Sequence, residues 1–107
     1  MARKRLSRAR DALGADDHRT FYAEVALALR GLVADRLNLA EAGLQTAELD
    51  EALARSDIDD DLRSRFVDCL EECDRQRFAP PSAEGEARAR FLERAAEVMT
   101  DLDRAVR

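Results

Sequence analysis

One hundred and seven residues, 24 of them Leu, Ile, Val or Phe, suffice for one small hydrophobic core and no large buried cavity. Strand formers are scarce (one Ile, one Tyr, no Trp, five Val) and twenty alanines favour helix, so an all-α domain is expected and a β-rich fold excluded. The net charge of −5 divides into +5 over the first ten residues and −10 over the rest, which argues against nucleic acid as the main ligand, and no apolar run approaches the length that spans a bilayer.

The positive end consists of Arg3, Lys4, Arg5, Arg8 and Arg10. With Leu6, Ala9 and Leu13 at spacings of three and four, residues 2–13 read as a short basic helix ended by Gly14-Ala15. Such a cluster suits two settings: a segment just cytoplasmic of a membrane span, leaning on anionic lipid, or a solvated, charged terminus. Asp16 and Asp17 are N-cap candidates for a second helix over residues 18–38. Phe21, Val25, Leu29, Leu32 or Val33, and Leu37 make its apolar stripe, widened by Tyr22 and Ala26. Gly31 within it costs about 1 kcal/mol relative to Ala, and either admits a close neighbour or marks a weak point. Residues 39–45 form a connection, with Gly43 at a turn and Leu39 and Leu44 pinned to the core.

Thr46 is expected to cap a short third helix over residues 47–55 that buries Leu49, Ala52 and Leu53. Residues 56–59 interrupt the pattern, with Ile58 as a buried anchor. Asp59, Asp60 and Asp61 open a fourth helix, where acids complement the positive end of the dipole. Leu62, Phe66, Cys69, Leu70 and Cys73 form its buried repeat, leading to Phe78. Pro80-Pro81 stops it, and Ser82 caps a fifth helix over residues 83–106 with Glu84 and Glu86 near its start. Phe91, Ala95, Val98 and Leu102 lie on one line of that helix, with Leu92, Ala96, Met99 and Val106 beside it; Arg88, Arg90 and Arg94 read as surface residues pairing with acids. Phe78, at the corner between the last two helices, reads as an apolar plug that fixes their angle, with partner binding as its other reading. The expected molecule is a compact all-α bundle of about five helices: a basic arm at residues 1–15 and a helical domain at 16–107, with the second, fourth and fifth helices forming the core.

No constellation here supports catalysis. Cys69 and Cys73 share a helical face, but one such pair supplies two ligands where structural zinc wants four, and both sulfurs fall on the apolar stripe. Their acidic neighbours Asp68, Glu71, Glu72 and Asp74 disfavour a thiolate. A small redox or metal sensor built on these cysteines and His18 is the alternative reading. His18 itself, beside Asp16 and Asp17 with no base or orienter, reads as a surface or capping residue rather than a phosphotransfer site. Residues 57–61 lack the glycine and distal Glu of a calcium loop and read as helix capping. A helical transcriptional regulator needs a basic recognition helix, and none follows Leu13. The four glycines are isolated, so no loop cradles phosphate.

Leu70, Cys73, Asp74, Arg77, Phe78, Ala79 and Pro80 resemble the Leu-x-x-Cys-Glu-x-x-Arg-Tyr/Phe-Ala-Pro signature of the C-terminal cytoplasmic domain of the BatD family of bacterial oxygen-tolerance proteins. Phe21-Tyr22, Ala28-Leu29-Arg30-Gly31-Leu32 and Leu37-Asn38-Leu39 are similar to an earlier segment of that family. Leu32 stands where the family often has Tyr, and Asp74 where it has Glu. The resemblance spans residues 17–102. It implies a non-catalytic, cofactor-free protein-interaction domain on the cytoplasmic side of a bacterial inner membrane, anchored by a span outside this chain. It favours the juxtamembrane setting for the basic arm. Implied partners are a MoxR-type AAA+ ATPase and other Bat proteins with von Willebrand A or tetratricopeptide domains. No catalytic or metal-binding residue carries over, and the candidate signature is Cys73, Asp74, Arg77, Phe78 and Pro80.

Overall fold

The densest apolar stretch of the chain becomes the helix on which the others rest. In the computed structural model, which describes residues 6–15, 17–39, 45–78 and 85–105, five helices follow one another: α1 (Ser7–Gly14), α2 (His18–Arg36), α3 (Thr46–Arg55), α4 (Asp60–Phe78) and α5 (Gly85–Ala105). No strand occurs among the described residues. α2 buries ten of its residues, among them Phe21, Val25, Leu29, Leu32 and Val33, and it touches all four other helices. Its most extensive partner is α4, whose Leu62, Phe66, Cys69, Leu70 and Cys73 are all buried, as the three-four repeat requires. α5 closes the core with Phe91, Leu92, Ala95, Val98, Met99 and Leu102. A Cα radius of gyration of 13.2 Å matches the value of about 13 Å for a compact chain of this length.

The basic N-terminal helix is built into this core. Leu6 and Ala9 have no exposed surface, Ala12 is buried, and all three belong to one apolar cluster with Phe21, Phe66 and Phe91. α1 touches α2 and α5 and, among the described residues, neither α3 nor α4.

Helix ends are set by short polar residues. Asp17 caps α2: its Oδ1 accepts from the Thr20 backbone N–H at 3.3 Å, and the Thr20 hydroxyl, with this N–H second, holds its carboxyl below the usual range. α3 starts one residue earlier than the capping reading of Thr46 implies. Gln45 is the cap, and its backbone N–H donates to Glu48 Oε1 at 3.4 Å. At α4, Asp59 Oδ2 accepts from the Asp61 N–H at 3.1 Å.

Two helices end in the same device. After α2, Asn38 sits at φ 56°, with Leu39 N–H donating to Ala34 O at 2.8 Å and Asn38 N–H to Asp35 O at 3.3 Å. After α3, Asp57 sits at φ 61°, with Ile58 N–H donating to Leu53 O at 3.1 Å and Asp57 N–H to Ala54 O at 3.2 Å. Both are Schellman caps, with Asn and Asp in the left-handed position usually given to Gly and an apolar residue, Leu39 or Ile58, following to pack on the core.

Among the described residues, ion pairs cross between helices. Arg36 Nη2 meets Asp103 Oδ1 at 2.8 Å, joining α2 to α5; Arg65 meets Asp101 at 3.0 Å, joining α4 to α5; Arg63 lies 3.7 Å from Asp50, joining α4 to α3. All three are partly exposed, so each is worth no more than about 1 kcal/mol, and apolar burial carries the fold.

Candidate functional site

The signature stretch occupies the last turns of α4 and divides into an inner and an outer face. Inward, Cys69 and Cys73 are 2% and 0% exposed, four residues apart on the side that meets α2 and α5. Burial pushes the Cys73 thiol up to about 12, helped by Cys69 and by the carboxylates of Asp74 and Glu72. Burial also raises the Cys69 thiol, with Arg94 beside it pulling weakly the other way. A cleft of about 240 Å³ lies against Cys69, lined by Arg65, Asp68, Arg94, Glu97 and Val98. Its two arginines face two acids, so it offers no single-sign field to a ligand.

Outward, Asp74 is exposed and Arg77 is half-buried. Arg77 leaves α4 towards the first turns of α2, where it lines a groove of about 380 Å³ with Arg19, Thr20 and Ala23. One turn beyond Ala23, on the same side of α2, stands Leu27, 54% exposed. Glu72 accepts from Arg75 and from Gln76 Nε2, the latter at 2.8 Å, and these bonds hold its carboxyl below the usual range.

Phe78 is the last residue of α4, but its side chain lies outside the described residues, as do Ala79, Pro80, Pro81 and Ser82. The aromatic packing that is described joins α2 to α5 instead. Phe21 and Tyr22 meet edge-on at 4.9 Å between centroids, Tyr22 lies 5.4 Å from Phe91, and Phe21 lies 6.4 Å from it. The Arg94 guanidinium stands 5.5 Å from the Phe91 centroid.

Of the basic arm, Arg8 and Arg10 are exposed on α1, while Arg3, Lys4 and Arg5 lie outside the described residues. Arg88 corrects its reading as a surface residue: only 5% of it is exposed, close to Tyr22 at the α2–α5 junction. A buried arginine on an otherwise apolar line carries no periodic signal, since the alternation of arginine and alanine around it looks like a solvated face. His18 stands half-buried in the first turn of α2, and its Nε2 is enclosed without a hydrogen-bond partner. Neither cysteine joins it: among the described residues no three His, Cys, Asp or Glu side chains are placed to hold one metal ion. Among those residues, no helix is long and apolar enough to cross a membrane.

Sequence reasoning singled out Arg77 and missed Arg19, Thr20 and Ala23, which line its groove; nothing in the local spacing of α2 marks them. Compared with known protein families, curated proteins and solved structures, the chain finds no match.

Proposed function

We propose that the chain is a non-catalytic protein-interaction domain of a membrane-anchored, BatD-like oxygen-tolerance protein, working on the cytoplasmic side of a bacterial inner membrane. The observation that carries this reading is the stretch Leu70, Cys73, Asp74, Arg77, Phe78, Ala79, Pro80 at a helix end. Its apolar members Leu70 and Cys73 belong to the core, which leaves Asp74 and Arg77 as its polar, partner-facing members. The +5 of the first ten residues supports a place beside anionic lipid, where each basic residue contributes about 1 kcal/mol of attraction. The partners fitting this reading are a MoxR-type AAA+ ATPase and other Bat proteins.

Two measurements test it. Purified MoxR-type ATPase and Bat proteins, in membranes or detergent, should be retained by the immobilised chain, and retention should fall with Arg77→Glu and Asp74→Lys. Recovery of neither would retract the partner assignment. Phosphatidylglycerol vesicles should co-sediment with the chain at low salt and lose it when Arg3, Lys4, Arg5, Arg8 and Arg10 are all changed to Gln. Vesicle binding that ignores both salt and these residues would retract the membrane placement.

A further inference from the structure

The helix contacts fix where the basic arm lies relative to the acids. α1, α2 and α5 touch one another, and so do α2, α4 and α5, while α1 and α4 do not touch among the described residues. Two triangles that share only the α2–α5 edge put α1 and α4 on opposite sides of that pair. α3 lies with α4: it touches α4 and α2 and, among the described residues, neither α1 nor α5. Charge follows the same division. Residues 1–14 hold Arg3, Lys4, Arg5, Arg8 and Arg10 against the one acid Asp11, whereas α3 and α4 hold nine carboxylates against five arginines. The thinnest dimension of the molecule is 24 Å, well beyond the screening length of about 8 Å at physiological salt. A surface lying against α1 therefore feels the arm and little of the acids of α3 and α4.

Resting on the membrane placement proposed above, we propose that an anionic lipid surface holds this domain in one orientation. α1 stays docked in the bundle with its outer side against the headgroups, and α3 and α4 are turned away. The inner side of α1, Leu6, Ala9 and Ala12, is enclosed in the core. Arg8 and Arg10 are exposed while the helix is docked, so headgroups reach them without pulling it off. A ligand shifts an equilibrium only by its differential affinity for the two states, and undocking would add no cation to the contact. It would offer the bilayer only apolar side chains that the core already encloses. Because α1 is packed on α2 and α5, a surface that holds α1 orients the whole domain instead of tethering it loosely. Asp11 is exposed on the same helix, yet the segment keeps an excess of positive charge, which anionic headgroups attract. Nucleic acid is the poorer occupant, since residues 1–15 contain no aromatic on which a base could stack.

The experiment is backbone-amide NMR of the full chain with bicelles of phosphatidylglycerol and phosphatidylcholine that carry a gadolinium chelate on a trace of their headgroups. Broadening should be greatest at residues 7–11, fall through α2 and α5, and be least over residues 46–55. Solvent exchange of the α1 amides should be as slow on the bicelle as off it. Arg8→Gln should weaken binding about fivefold, the factor for one basic residue at an anionic surface, and Glu51→Gln should leave it unchanged. Both side chains are exposed, so the variants should melt like the parent. Even broadening over all five helices, greatest broadening in α3 or α4, faster exchange of the α1 amides on lipid, or tighter binding on Glu51→Gln would each overturn the proposal. A DNA duplex at equal phosphate concentration that perturbs the α1 amides as strongly as the bicelles would also overturn it. Bicelle binding with even broadening retracts the orientation and leaves the membrane placement standing, whereas no bicelle binding at low salt retracts both.

Discussion

Asn38 and Asp57 show how much one backbone angle decides. Each sits at positive φ, where an L-residue other than Gly costs about 1–2 kcal/mol, and each is tolerated because a short polar side chain suits that geometry. Asp57→Gly should therefore raise stability by about 0.5–1 kcal/mol in urea denaturation, while Asp57→Val should lower it by about as much or more. No gain from glycine would mean that the Asp57 carboxylate does something the geometry does not require. The cysteines make a second residue-scale test, this time against pH. The folded Cys73 thiol is pushed up to about 12, while an unfolded thiol titrates near 8.5, so above that lower value the unfolded state gives up its proton first. The stability from this group is fully present below pH 8.5 or so and is lost as pH rises towards 12. Cys73→Ala should flatten that alkaline fall. Glu72 works in the opposite sense: its lowered carboxyl contributes above the ordinary glutamate range and is lost as acid protonates it.

At the scale of the element, α1 is the instructive case. Its composition is that of a solvated arm, yet Leu6 and Ala9 are fully enclosed against α2 and α5. Leu6→Ala should cost about 2–5 kcal/mol, as for other buried leucines. A loss below about 1 kcal/mol would show that α1 only rests on the bundle. The stripes of α2, α4 and α5 were legible in the sequence because three-four spacing and burial are two statements of one geometry. Ile58 was legible as an anchor for the same reason: a lone apolar residue inside an acidic turn has nowhere else to go. The docking of α1 was harder to read, since three apolar residues among arginines fit a terminus as well as a core helix. The burial of Arg88 was illegible, because it depends on which side chains of a distant helix arrive opposite, and local periodicity does not contain that.

Across the whole molecule, charge is segregated by helix. α3 and α4 carry nine carboxylates against five arginines, while α1 carries Arg8 and Arg10 against Asp11 and touches neither of them. The acids lie outside a core that holds both cysteine sulfurs, so the thiols belong to packing. Opening of the bundle is then what a thiol reagent must wait for at Cys73. Native-state labelling of Cys73 in a Cys69→Ala background, followed against time in increasing urea, reads that opening free energy. It should equal the global unfolding free energy from urea denaturation and should not change when zinc is added. Labelling at nearly the rate of a free thiol, or a zinc-dependent rise in protection, would contradict the packing role and return the sensor reading to first place.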